Sequence, residues 1–244
     1  MVNPFNLKKI DTRFRTNDSE IMDDFQLEGT ELEQALDKIA KINQLLGGNK
    51  LTLQGVQRVL ELLDKNSELI IVDIGCGNGD MLRFIADFGL KYNYKFILIG
   101  IDANAFTINH AKKLSHNYKN IDFRTENIFD KPFSQLKYDI ALCTLTLHHF
   151  KEEEIKYLLA LFYANATAGI VINDLHRSKI AYRLFQLVGV VFRLNKMSRE
   201  DGLTSILRGF KKQEIIDFSN QLGLKKYILQ WKWAFRYQWI ILKK

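Results

Sequence analysis

From Ile70 onward the chain alternates short apolar runs with amphipathic ones. The first run, Ile70-Ile71-Val72-Asp73, leads straight into a turn with glycines at 75, 77 and 79. Few folds accept that pattern. Apolar runs at 69–74, 96–101, 120–124, 139–145 and 168–173 read as buried strands, and the stretches near 80–89, 104–116 and 151–164 read as helices. Strands apolar on both faces belong to a parallel sheet covered on both sides. Their crossovers are right-handed, so an α/β, doubly wound sheet is predicted. A helix at 211–222 closes at Gly223, and Lys225–Trp233 and Tyr237–Leu242 then read as two strands joined by a tight turn. The expected total is seven strands, mostly parallel, with an antiparallel hairpin at the end. Trp231, Trp233 and Trp239 alternate along that hairpin and are expected in the core.

Residues 1–30 are polar and irregular. Thr30 and Glu33 have the spacing of a capping box, opening a helix on Leu32, Ala35, Leu36, Ile39, Ile42 and Leu46 that Gly47-Gly48 stops. Leu53, Val56, Val59, Leu60 and Leu63 suggest a second helix. A single domain over 1–244 is expected, with an N-terminal helical cap at 1–66 and a cap insertion at 176–209. Within that insertion Ile180, Leu184, Leu187, Val188, Val191 and Leu194 form one apolar face, with Tyr182, Phe185 and Phe192 adding aromatic area, and together with the N-terminal helices it is expected to close over an acceptor pocket. The stretch Ile180 to Leu194 is interrupted by Arg183, Gln186 and Arg193, and falls short of the roughly 20 apolar residues a bilayer crossing takes. The opening MVNPFNLKKI lacks a secretory apolar run, so a cytoplasmic location is expected. Cys76 and Cys143 supply neither a disulfide framework nor a metal-ligand spacing. The formal charge of +7 comes from scattered Lys and Arg, which reads as a solvated face rather than a nucleic-acid footprint.

Glycines at 75, 77 and 79 let backbone approach a ligand closely, and the following helix directs its free amides there. A dinucleotide fingerprint needs its third glycine where this chain has Asp80. Asp73, at the strand end, would repel a pyrophosphate and suits a positively charged nucleoside. Asp102 ends the next strand, placed to accept both ribose hydroxyls.

Val72-Asp73-Ile74-Gly75-Cys76-Gly77-Asn78-Gly79 resembles the first motif of class I S-adenosylmethionine-dependent methyltransferases, and Gly100-Ile101-Asp102 resembles the second. Phe123-Arg124-Thr125-Glu126-Asn127-Ile128 is similar to the third, where Asn127 would meet the adenine amino group and Ile128 its face. Lys131-Pro132-Phe133 and Tyr138-Asp139-Ile140 are similar to the lead into strand four. Leu147-His148-His149-Phe150 resembles the segment after strand four in ubiquinone/menaquinone-type methyltransferases. Residues 172–177 and 207–210 are similar to small-molecule methyltransferases of bacterial polyketide and pigment pathways. The resemblance implies S-adenosylmethionine as cofactor, S-adenosylhomocysteine as product and no metal. The implied cofactor set is Asp73, Gly75, Cys76, Gly77, Gly79, Asp102, Ala103, Asn127, Ile128 and Thr144. It also implies a small acceptor, aromatic or lipid-like, methylated on oxygen.

Methyl transfer is an in-line displacement that the protein assists by orienting partners and excluding water, and a hydroxyl acceptor gains from a base. Histidine titrates near neutral pH. His176, oriented by Asp174, is the first expectation for that base, and His148 the second. His149, Arg177, Arg208 and Tyr182 are expected around the acceptor, with Arg177 or Arg208 neutralising an acidic group. An RNA base or ribose methyltransferase is the alternative, but Leu145-Thr146-Leu147-His148 lacks the Asn/Asp-Pro-Pro-aromatic segment of base-amino methylation. No nucleic-acid partner is expected. Peripheral membrane contact is left open, as is the choice of monomer or homodimer.

Overall fold

A computed structural model describes residues 10–243. In chain order the described elements are α1 (Thr30–Leu45), α2 (Gly48–Leu60), β1 (Glu68–Ile74), α3 (Asp80–Tyr92), β2 (Lys95–Asp102), α4 (Ala105–Leu114), β3 (Ile121–Thr125), α5 (Lys131–Gln135) and β4 (Tyr138–Thr144). After a 3-10 turn at Leu147–His149 come α6 (Glu152–Asn165), β5 (Ala166–Leu175), α7 (Lys179–Val191), α8 (Lys196–Arg208), α9 (Lys212–Gln221), β6 (Tyr227–Lys232) and β7 (Arg236–Leu242).

The seven strands form one sheet in the order β3-β2-β1-β4-β5-β7-β6. The first five are parallel, while β7 runs antiparallel between β5 and β6. Alternate strand residues feed two cores. On one face Ile74, Ile99, Ile172 and Trp239 meet Leu158 and Phe162 of α6 and Phe218 of α9. On the other, Ile71, Leu98 and Val171 meet Val59 of α2, Leu82 and Ile85 of α3 and Ile108 of α4. Leu82 is fully buried, and truncating such a side chain to alanine costs roughly 2–5 kcal/mol. Chain order reverses between β1 and β4, so a crevice opens at their carboxyl ends, where sheets of this kind hold ligands.

Several sequence expectations shift. The Thr30/Glu33 box does not form: Gly29 occupies the cap position without a side-chain bond, and Glu33 instead approaches His110 and Lys113. Gly47, in the left-handed region at φ +80°, reverses the chain so tightly that α2 starts at Gly48, five residues before its first expected apolar position. The insertion holds two helices, because Asn195 caps α8 through a bond from Ser198 N. Of the hairpin tryptophans only Trp239 is buried. Trp231 and Trp233 are exposed, because β6 is the sheet edge and its burial is only partial.

Candidate functional site

A cavity of about 980 Å3 occupies the crevice, at the upper end of small-molecule sites. One half is built by the glycine turn. Gly75 N and Cys76 N both donate to Ile101 O, at 2.8 and 3.0 Å, which ties the turn to β2. The three glycines do different work. A side chain at Gly75 would strike Thr146 at 2.4 Å, and one at Gly79 would strike the Phe123 ring at 2.6 Å. At Gly77 (φ +52°) the nearest neighbour of an added Cβ is Leu36, 3.8 Å away. Gly77 therefore borders open ligand space, while Gly79 packs against Phe123 and does not line the cavity, contrary to expectation.

Asp102 Oδ2 accepts from Gly77 N at 3.2 Å and Oδ1 from Asn104 N at 3.0 Å, so the carboxylate is fixed with lone pairs to spare. Asp80, at the place of a third fingerprint glycine, accepts from Gln44 Nε2 and from Asn49 Nδ2, tethering the α1–α2 junction to the turn. Asp73 is buried, with Oδ1 lacking any partner among the described residues. Burial first, then the charges of Asp102 and Asp80, push its carboxyl up to about 8. Three converging acids with one oxygen unsatisfied call for a cation, and a positively charged ligand would supply it. Ala103, Asn127, Ile128 and Thr144 line the same half with Asp73, Gly75, Cys76, Gly77 and Asp102. Asn127 Oδ1 accepts from Phe129 N at 3.1 Å, which leaves its amide NH2 free to donate.

The other half centres on His148. Leu145, left-handed at φ +55°, turns the chain out of β4 into the Leu147–His149 turn. His148 is 2% exposed, and its Nδ1 lies 2.6 Å from Asp174 Oδ1. A carboxylate can only accept, so Nδ1 carries a proton toward Asp174, and in the neutral ring the lone pair lies on Nε2. Among the described residues that Nε2 has no partner and stands 3.7 Å from Glu20 Oε1, which is likewise unsatisfied. Burial raises Glu20 to about 7, against the charges of His149 and Arg208 and a bond from Ser205 Oγ. Burial alone would raise Asp174 too, but the His148 charge and hydrogen bond hold it below its ordinary value.

Asp174 thus serves His148 and not His176. His176 Nδ1 accepts from Trp231 Nε1 at 3.1 Å, which occupies the nitrogen a base would use. Its ring packs on Tyr237, and burial with Lys211 and Arg177 nearby lowers its pKa. His176 still lines the cavity. Arg177 does not. It is completely buried, forks onto Glu214 at 2.5 and 3.1 Å and donates to three backbone carbonyls, so its work is to clamp chain segments. Tyr182 also lies away from the cavity lining. Arg208 lines it, donating to His148 O and His149 O and, at 2.5 Å, to Asp23. His149 faces Asp23 Oδ1 at 2.6 Å. Burial would raise Asp23, and bonds from His149 and Arg208 reverse that and hold it well below the usual carboxylate range.

Glu20 and Arg236 escaped the sequence reading, whereas the N-terminal roof falls within the cap expected at 1–66. The segment around Phe14–Phe25 roofs the cavity, held by Arg15 donating to the carbonyls of His148, Phe150 and Arg208, and by Ile21 N and Met22 N donating to Asp201. Glu20 belongs to that roof. Arg236, at the start of β7, lines the cavity while Nε and Nη1 find no partner, and burial lowers it to about 10 despite Asp174, so it stays charged at neutral pH. None carries a motif, since their neighbours come from remote parts of the chain. The insertion contributes less roof than expected: Ala181, Phe185 and Leu194 line the cavity, but Ile180, Leu184, Leu187 and Val191 point to solvent. Glu20, His148 and His149 offer ligand atoms within 4.8 Å of one another. Arg208 Nη1 stands 3.6 Å from the same Glu20 oxygen, so a metal ion there would face a guanidinium.

A methyltransferase-domain family model matches residues 65–217. Protein 235L of Invertebrate iridescent virus 6, named as a proposed methyltransferase, is 32% identical over 83 residues, 34% of this chain and only 28% of that protein. Among solved structures, the plantazolicin methyltransferase BpumL in complex with SAH aligns with a TM-score of 0.65 at 17% identity, over 86% of this chain and 90% of its own. Magnesium protoporphyrin IX methyltransferase of Synechocystis PCC 6803, with bound SAM, gives 0.54 at 16% identity over 84% of each chain. The CurJ carbon methyltransferase gives 0.58 at 16% identity, over 79% of this chain and 53% of its own.

Proposed function

The chain belongs to the methyltransferase-domain family, and on that premise we propose that it methylates an oxygen of a small, partly apolar, anionic acceptor, with S-adenosylmethionine as donor and His148 as base. The observation that carries this reading is the unpartnered, Asp174-oriented Nε2 of His148 in the same cavity as the glycine turn. When bound, the cofactor supplies a methyl group made electrophilic by its sulfonium. Asp73 would face its positive charge, Asp102 its ribose hydroxyls, and Asn127 and Ile128 its base. These residues fit that group because Asp73 Oδ1 lacks a partner and Gly77 leaves room.

His148 Nε2 and Glu20 Oε1 are 3.7 Å apart, too far to bond each other, and both are closed to solvent in the free protein. An acceptor hydroxyl that reaches Nε2 gives its proton there as the oxygen attacks, and Asp174 stabilises the imidazolium that results. Arg236 supplies the countercharge for an acidic group on the acceptor, the part first expected of Arg177 or Arg208. The neighbours named for plantazolicin and magnesium protoporphyrin IX support a small-molecule acceptor, and nothing favours RNA.

The test is His148→Gln. Turnover on an acceptor found by mass spectrometry of cell extracts should fall about 10²-fold or more, with donor affinity by calorimetry unchanged. Full activity in that variant would remove His148 from the chemistry.

A further inference from the structure

Helix α7 carries an apolar stripe that the other described residues leave uncovered. Ile180, Leu184, Leu187 and Val191 follow the i, i+4, i+7, i+11 spacing that aligns side chains along one side of a helix. Their exposures run from 40% at Leu184 to 66% at Val191, and Val190 and Phe192 widen the stripe. The opposite side is occupied: Ala181 and Phe185 line the cavity, and Phe185 lies against Gly202 of α8. A contiguous exposed patch of this kind marks an interaction surface.

Charge says what kind. Between Ser178 and Arg199 the chain has Lys179, Arg183, Arg193, Lys196 and Arg199 and no acidic residue. Asp11, which reaches Lys179 electrostatically, is itself paired with Arg13, and Glu200 lies just beyond the run. Two exposed indoles stand beside the helix start. Trp231 Nε1 bonds His176, three residues before α7, and Trp233 follows on the hairpin. Indoles with an apolar body and a polar edge settle at the level of lipid headgroups.

We infer that α7, with Trp231 and Trp233, docks the protein on an anionic lipid bilayer. The helix lies in the interface, with its stripe at the acyl boundary and its cations among the headgroups. No helix among the described residues is long and apolar enough to cross a membrane, so the contact is peripheral. A second copy of the chain fits the surface less well, because a two-fold contact between α7 helices would set the same cations against each other. Because the other side of α7 is cavity wall, docking brings the cavity beside the lipid phase. The inference rests on the surface alone, so its failure would leave the assignment of His148 standing.

The experiment is flotation of the full chain with vesicles of phosphatidylglycerol and phosphatidylcholine, against phosphatidylcholine alone, with tryptophan emission followed in parallel. The expected result is binding to the anionic vesicles with a blue shift, weakened roughly tenfold or more on neutral vesicles or in high salt. Leu187→Glu/Val191→Glu changes residues already in solvent, so circular dichroism should be unchanged while vesicle binding falls by about tenfold or more. Lys179→Glu/Arg193→Glu should act in the same direction. Absence of binding to anionic vesicles, or unaltered binding by the Leu187/Val191 variant, overturns the inference. So does a dimer in sedimentation velocity that Leu187→Glu dissolves, since a second copy would then be the occupant.

Discussion

The two halves of the cavity are built by opposite methods. The half proposed for the donor comes, apart from Thr144 of β4, from three short contiguous stretches, 73–80, 101–104 and 126–128, each at the carboxyl end of a neighbouring strand and fixed by main-chain bonds such as Gly75 N to Ile101 O. The half proposed for the acceptor gathers Glu20, His148, Asp174, Arg208 and Arg236 from five separate parts of the chain, and side-chain bonds fix all but Arg236. Local geometry tolerates little change, whereas an assembled site can be retuned one residue at a time. The first half is therefore suited to a constant ligand and the second to a variable one.

Substitutions on either side sharpen that contrast. The largest effect is expected at Gly77→Val, where a branched side chain enters both ligand space and the left-handed region: donor affinity by calorimetry should fall at least about 100-fold. Glu214→Gln probes structure alone. It removes the charge facing Arg177, which keeps its bonds to three backbone carbonyls, and should cost about 1.5–3 kcal/mol in denaturant unfolding, with donor affinity unchanged in the folded protein. Third, Arg236→Met should raise KM for an anionic acceptor by about tenfold while raising Tm, because an unpaired buried cation destabilises the fold. A lowered Tm and an unaltered KM would show that Arg236 serves the fold and not the acceptor.

The remaining test is a pH slope. The folded carboxyls of Asp73 (about 8) and Glu20 (about 7) lie above their ordinary values of 3.8 and 4.5. Between those limits the folded state binds more protons than the unfolded one, so the stability these groups contribute is present at low pH and lost as pH rises through 7 and 8. The free protein's Tm should decline from pH 5 to 8, Asp73→Asn should flatten the decline, and saturating donor should stabilise more at pH 8 than at pH 5. Differential scanning fluorimetry reads all three.

The same division governs what could be read from the amino acids. Strand periodicity and the glycine turn are local signals, so the order of strands and helices, the antiparallel terminal pair, and Asp73, Gly77 and Asp102 were legible. Asp174 was recognised but paired with the wrong ring. His176 is nearer in sequence, but it lies just past the end of β5, where its ring accepts from Trp231 and packs on Tyr237, while the turn after β4 brings His148 to Asp174. Gly79 looked equivalent to Gly77 because spacing does not reveal which neighbour fills the space, here the Phe123 ring. The apolar face of α7 was visible, but periodicity identifies a face without saying what covers it. Glu20 and Arg236 had no local signature at all.

The placement of β7 between β5 and β6 has a consequence for synthesis. When translation reaches Leu175, all five parallel strands are present, but one edge of β5 still offers unpaired amides and carbonyls and stays open until more than sixty further residues have emerged. A bare edge of that kind invites pairing with other nascent chains. Arg236 belongs to the strand that finally seals it, so closing the sheet and completing the acceptor half are one and the same event.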